Sequence, residues 1–323
     1  MSYGLGVDVG TSFTAAAVCR TTDGRRGEPE LVGLGSRSAA MPSLLFVGTD
    51  GRLLVGDGAE RRLFTEPDRV AREFKRRIGD DVPVVVGERG YAPEDLAATL
   101  VAAVVQRAAE REGGPAECLV LTHPASWGPH KKGLFVDALE RVGVTGAVLL
   151  PEPEAAAVSY AAQARVEPGA TIAVYDLGGG TFDAAVVRKT GERSFDLLGC
   201  PEGLEHLGGI DFDEAVFDHV RAALGAGLAA VDPADPDALA ALARLRRDCV
   251  EAKEALSADT EVAIPVLLPG LHTQVRLVRA EFEAMIRPAV EETVEALRRA
   301  IASAGLGPDD LDAVLLVGGS SRV

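Results

Sequence analysis

Two short turns hold the residue types best suited to gripping a polyphosphate. The first reads Asp8-Val9-Gly10-Thr11-Ser12-Phe13. The second reads Asp176-Leu177-Gly178-Gly179-Gly180-Thr181-Phe182-Asp183. Glycine lets the backbone approach a phosphate closely, and successive N–H groups in a turn form an anion-binding nest. Thr11, Ser12 and Thr181 add hydroxyl donors. Asp8 and Asp176 would repel a phosphate directly. They make sense if a Mg²⁺ ion with its waters lies between them and the phosphates, because Mg²⁺ takes oxygen ligands and keeps several waters. Two such turns facing each other would clamp a nucleoside triphosphate. A third glycine site, Gly318-Gly319-Ser320, suits ribose or phosphate contact if it opens a helix.

These residues need strands and helices to aim them. The apolar run Gly4–Val9 reads as a buried strand that turns at Gly10 and resumes at Ala15–Cys19. The run Thr171–Tyr175 does the same through the second turn and resumes at Phe182–Val187. The two units lie 168 residues apart (176 − 8), which fits an internal repeat with two facing lobes. Asp-x-Gly is also an ordinary turn, so two unrelated hairpins fit the spacing equally well. Helices are expected at Asp68–Ile78, with Val70, Phe74 and Ile78 on one face, at Pro93–Glu112 before Gly113-Gly114, and at Pro153–Gln163. Cys118–Thr122 and Val148–Leu150 read as strands. Asp211, after Gly208-Gly209, is placed to cap a helix running through Val220. Leu224–Asp237 reads as a loop, Ala238–Leu256 as a helix, Val262–Leu268 with Gln274–Val278 as a hairpin, and Glu281–Ala304 as a long helix. Val314–Val317 is a last strand. Alternating strands and helices argue for an α/β fold.

Composition narrows the function. The 323 residues contain 33 basic and 49 acidic side chains, a net charge of −16. An acidic chain repels a polyanion, so nucleic acid is not an expected partner. Phosphates would have to be held by metal and backbone N–H groups. Only five of the basic residues are lysines. Cys19, Cys118, Cys200 and Cys249 have no C-x-x-C spacing and read as buried thiols in a reducing compartment. No basic-then-apolar leader and no membrane-length apolar run is visible, which points to the cytoplasm. The five histidines show no metal-ligand spacing. Taken alone, Lys75 among Arg72, Arg76 and Arg77 reads as a solvated basic face, Glu152 between two prolines as a helix-start carboxylate, and Asp183 as a turn residue.

Seven segments, in order, carry a resemblance: GVDVGTSFTAAAV at 6–18, FKRRIG at 74–79, LLPEPEAAAVSYA at 149–161, VYDLGGGTFDAAVV at 174–187, HLGGIDFD at 206–213, AKEALS at 252–257 and LLVGGSSRV at 315–323. Together they resemble the ATPase domain of the seventy-kilodalton heat-shock chaperones of the DnaK type. One glycine loop would be weak evidence, whereas seven ordered segments are strong. The resemblance implies an actin-like (ribonuclease-H-like) α/β fold with a nucleotide cleft between two lobes. Lobe one would comprise 1–168, with its core at 1–38 and 115–168 and a subdomain at 39–114. Lobe two would comprise 169–323, with its core at 169–207 and 286–323 and a subdomain at 208–285. It also implies that the end of the ATPase domain and a peptide-binding domain lie outside this chain.

The resemblance further implies roles. Asp8, Asp176 and Asp183 match acids around the Mg²⁺ site. Gly10, Thr11, Ser12 and Phe13 match the first phosphate loop, and Gly178, Gly179, Gly180 and Thr181 the second. Lys75, Glu152, Asp176 and Thr181 match the groups around the γ-phosphate and attacking water. Gly208, Gly209, Lys253, Ser257, Gly318, Gly319, Ser320 and Arg322 match further nucleotide contacts. Glu254 and Val250 stand where the family has an arginine and a glutamate at the adenine. Pro124 and Lys132 match a proline–arginine relay, with lysine in place of arginine. The implied activity is slow Mg²⁺-dependent hydrolysis of ATP to ADP and phosphate by a monomer, with a J-domain co-chaperone and a nucleotide exchange factor as partners. Two other classes stay open: a non-catalytic nucleotide sensor and an actin-like filament ATPase.

Overall fold

The computed structural model describes residues 2–164, 166–191, 194–225 and 235–323. Strands β1 (Ser2–Val9) and β2 (Phe13–Thr22) form an antiparallel hairpin. β3 (Cys118–His123) joins β1 in parallel, and β4 (Val148–Pro151) joins β3 in parallel. The second sheet is built the same way. β5 (Thr171–Leu177) and β6 (Phe182–Lys189) form an antiparallel hairpin, β7 (Phe195–Leu204) extends it, and β10 (Ala313–Val317) runs parallel to β5. In each sheet the acid-and-glycine turn closes a hairpin whose first strand has a parallel neighbour on its other side. That shared topology favours the internal repeat over two unrelated hairpins.

Helices cover the sheets with their apolar faces. α1 (Pro93–Glu112) starts with a proline in its first turn and ends at Gly113 in the left-handed region, φ 78°, a conformation glycine takes without strain. It packs with α2 (Pro129–Arg141) on the first sheet, where Leu100, Val104, Leu121 and Phe135 are buried together. α3 (Glu152–Gln163) leaves β4 and lays Ala157 on Ile172, Val174, Val187 and Phe195. One helix therefore bridges the two sheets. α4 (Gly209–Leu224), α5 (Pro236–Ala255), the hairpin of β8 (Glu261–Leu268) with β9 (Leu271–Val278), and α6 (Arg279–Ser303) enclose a second core around Phe212, Val216, Leu277 and Phe282. The Arg247 guanidinium on α5 lies 5.2 Å from the centre of the Phe64 ring, joining the peripheral parts of the two halves.

Several expectations are corrected. Asp68–Ile78 is not one helix. A 3₁₀ turn at Pro67–Arg69 comes first, Val70–Ala71 is extended and pairs with Leu45–Phe46, and after Glu73 at φ 59° a second 3₁₀ turn follows at Phe74–Arg77. Val70, Phe74 and Ile78 are nonetheless all buried. The cysteines are not uniformly buried: all four are free thiols, Cys118 and Cys200 are exposed, Cys19 is half-buried and only Cys249 lies in the core. Gly319–Arg322 makes a 3₁₀ turn rather than a longer helix. Within the expected loop Leu224–Asp237, residues 226–234 lie outside the described residues; Leu224 ends α4 and Pro236 begins α5. Among the described residues, no helix is long and apolar enough to cross a membrane.

Candidate functional site

The two acid-and-glycine turns close identically. The Gly10 N–H donates to the Phe13 carbonyl at 3.0 Å, and the Gly178 N–H donates to the Thr181 carbonyl at 3.0 Å. They sit against each other: a Cβ on Gly179 would overlap the Ser12 side chain, and one on Gly180 would overlap Thr11 and come within 2.7 Å of Arg76 Cδ. The start of α4 supports the second turn from behind. The N–H groups of Gly209 and Ile210 donate to the carbonyls of Gly178 and Gly179 at 3.0 and 2.7 Å. Asp211 is not the N-cap expected from the sequence: the helix starts at Gly209 with Gly208 as its N-cap, and Asp211, inside the first turn, reaches back so that its carboxylate accepts from the Gly208 N–H at 2.8 Å.

Between the halves lies a cleft of about 1080 Å³. Its walls include Asp8, Gly10, Thr11, Ser12, Phe13, Lys75, Glu152, Asp176, Gly178, Gly179, Thr181, Gly209, Lys253, Ser257, Gly318, Gly319, Ser320 and Arg322. Most of the residues singled out in the sequence thus meet in one place. Gly180 and Gly208 are not on the wall; they form the packing behind it. Asp183 points away from the cleft, where its Oδ1 accepts from Ser126 Oγ at 3.0 Å. Sequence reasoning missed Thr122, Ser159, Arg72 and Asp213, which also line the cleft. Asp213 had a signal, since it ends HLGGIDFD. The others had none, because only the folded chain brings them there.

Lys75 is the central cation. It lies buried beside Glu152, with Nζ 2.7 Å from Oε1. Burial opposes the ammonium charge, but the carboxylates of Glu152, Asp8 and Asp183 outweigh it and raise the Lys75 pKa. Burial also raises the Glu152 pKa, against the pull of Lys75. Burial and the nearby Glu152 push Asp176 up to about 7 and Asp183 up to about 8. One lysine is therefore too little positive charge for the carboxylates around it. Thr122 Oγ1 donates to Asp8 Oδ1 at 2.6 Å, fixing that carboxylate at the cleft floor. Among the described residues no group of three or more His, Cys, Asp or Glu side chains is gathered to hold an ion directly. A surplus of buried carboxylate with no direct cage fits an ion held through its own waters.

At the other end, Lys253 pairs with Asp213 at 2.7 Å and donates to the Gly209 carbonyl at 3.3 Å. Val250, Glu254, Ser257, Arg322 and Val323 line this end. Gly318 takes φ 85° where a Cβ would clash with Leu177, so this turn needs glycine. Beneath the site, Trp127 stacks on His123 and meets Phe135 edge-on. His123 Nδ1 donates to the Pro124 carbonyl at 2.7 Å, and burial lowers its pKa, leaving it a neutral packing residue.

A family model described as Hsp70 protein matches residues 4–323. The chain belongs to the Hsp70 family. Members of that family are ATPases on an actin-like fold, and the two hairpin-centred sheets around the cleft are that fold in this chain. The chain is similar to the chaperone protein DnaK of Thermosipho melanesiensis (strain DSM 12029 / CIP 104789 / BI429), at 30% identity over 327 residues, covering 99% of this chain and 53% of that protein. The chaperone protein DnaK of Thermosipho africanus (strain TCF52B) is likewise 30% identical, with the same coverage of both chains. The chain spans about half the length of the curated relatives it matches.

Proposed function

We propose that this chain binds Mg²⁺-ATP in the cleft and hydrolyses it slowly to ADP and phosphate, as the nucleotide-binding part of a heat-shock-type chaperone. The observation that carries this reading is the buried Lys75–Glu152 pair set at the junction of two identical phosphate-type turns. The N–H groups and hydroxyls of Thr11, Ser12 and Thr181 would hold the phosphates, with Gly10, Phe13 and Gly178–Gly180 giving the turns their close approach. Lys75 would bring positive charge to the γ-phosphate as negative charge develops there. Glu152 would orient the attacking water and take up its proton. Asp8 and Asp176 would hold the hydrated ion, with Asp183 supporting them from behind. When bound, Mg²⁺ supplies neutralisation of phosphate charge. Lys253, Ser257, Gly318–Ser320 and Arg322 would hold the nucleoside. The reaction needs positioning and charge rather than a covalent nucleophile, which matches this set of groups.

Two lobes, 1–168 and 169–323, would close on the nucleotide, with subdomains at 39–114 and 208–285 forming the upper walls. A J-domain co-chaperone, a nucleotide exchange factor and a cytoplasmic setting complete the reading. Glu254 at the base end favours a second reading, a nucleotide sensor with little turnover. Phosphate release with Mg²⁺-ATP separates the two. The expected result is slow turnover in the wild type, lowered about 10²–10³-fold by Lys75→Ala. An unchanged rate in the variant refutes the role of Lys75. Tight binding without turnover in the wild type favours the sensor.

A further inference from the structure

The short turn Phe74–Arg77 faces three ways. Phe74 and Ile78 anchor it in the first core, and Lys75 enters the cleft toward Glu152. Arg76 crosses to the other half. Its Nη2 lies 3.0 and 3.1 Å from the two oxygens of Asp211, and its Nε donates to the Glu205 carbonyl at 3.4 Å. Its stem runs against Gly180, so the second phosphate turn is packed beneath it. Asp211 also accepts from the Gly208 N–H, and Gly208 stacks on the backbone of Gly179–Gly180. The Arg76 side chain is only 9% exposed, against 37% for Asp211. The guanidinium fork suits this divided task, because it reaches a carboxylate and a carbonyl at once from a rigid plane.

We propose that Arg76 is a positioning residue for Lys75: by clasping Asp211 of the other half behind the cleft wall, it ties the turn that presents Lys75 to the phosphate turn that Lys75 must serve. Arg76 does not line the cleft, so it acts through its neighbour rather than on the nucleotide. Closing the halves engages Arg76 with Asp211 and sets the height of Lys75 in one movement. The inference rests on the reading of Lys75 as the phosphate-facing cation.

The test uses the 323-residue chain. Single-turnover hydrolysis and Mg²⁺-ATP affinity are measured for wild type, Lys75→Ala, Arg76→Gln, Arg76→Lys, Asp211→Asn and the double variant Arg76→Gln with Asp211→Asn. Asparagine keeps an acceptor for the Gly208 N–H, so the start of α4 is retained. Arg76→Gln and Asp211→Asn are each expected to slow hydrolysis about tenfold, with ATP affinity shifting less than about threefold. Arg76→Lys, which keeps the charge and one bond, is expected to fall between Arg76→Gln and wild type. The double variant is expected to be no slower than the slower single variant, because both remove one interaction. The proposal is overturned if Arg76→Gln and Asp211→Asn keep more than about half the wild-type rate while Lys75→Ala loses it. It is also overturned if the double variant shows the product of the single effects. If Lys75→Ala hydrolyses like the wild type, the reading of Lys75 fails first and the proposal with it.

Discussion

Gly208 offers a clean steric test of how the second phosphate turn is held. Its backbone is extended, φ −175°, so alanine meets no conformational penalty there. The obstacle is space. A Cβ would lie 2.6 Å from Gly180 N, 2.7 Å from Gly180 Cα and 2.8 Å from Gly179 C, all of them backbone atoms. Restoring ordinary contact at 3.4 Å with the nearest atom means moving the turn by about 0.8 Å (3.4 − 2.6). Overpacking of this kind costs about 1–3 kcal/mol of stability. The functional cost is of similar size, because misplacing positioned donors by about 1 Å costs up to about 10²-fold, or about 2.7 kcal/mol. Gly208→Ala is therefore expected to weaken ATP binding about 10–100-fold while adenosine, which makes no phosphate contact, binds within about twofold of wild type. Calorimetric titration with both ligands measures this. Gly128→Ala is the control: Gly128 has φ −72° and nothing within 4 Å of its Cβ position. Wild-type ATP affinity and wild-type melting in Gly208→Ala would refute the argument that α4 fixes the turn by close packing.

Other outcomes follow from the same contacts. Glu152→Gln should lower single-turnover hydrolysis about 10²-fold with little change in ATP affinity, because it removes the group that handles the water and spares the phosphate donors. Trp127→Ala should destabilise the fold by about 3–5 kcal/mol, read by denaturant unfolding, since the ring is buried between His123 and Phe135. Burial pushes the Cys249 thiol up to about 12 from 9.0. Above pH 9 the unfolded thiol loses its proton while the native one keeps it, so stability present below pH 9 is lost as pH rises toward 12. Unfolding of wild type and Cys249→Ala at pH 8 and pH 10.5 should show a steeper loss in the wild type, of at most about 1.4 kcal/mol per pH unit. A native thiol titration should modify Cys118 and Cys200 quickly and Cys249 only after unfolding.

The long elements were legible because they advertise themselves. Pro93–Glu112 carries a proline start, a glycine stop and a helical apolar period, and the folded helix has those limits. The two acid-and-glycine turns were legible as chemistry, but their equivalence became clear only from the matching hydrogen bonds at Gly10 and Gly178. The period at Val70, Phe74 and Ile78 misled because it records burial, and a strand, a left-handed residue and a 3₁₀ turn bury the same three side chains. The clasp of Arg76 on Asp211 was invisible in sequence. Its partners are 135 residues apart, and an arginine among arginines looks like a solvated face until the second half of the chain meets it.

The scarcity of lysine now has a use. Of the five primary amines on side chains, Lys75 reaches Glu152, Lys131 reaches Glu205, and Lys253 reaches Asp213, each across a long loop of chain. Lys75 and Lys253 are buried, while Lys131 sits at the seam between the halves. A mild acylating reagent would meet so few targets that every added mass could be assigned to one site. The order in which those three amines become reactive as nucleotide is withdrawn would trace, residue by residue, how the cleft comes apart.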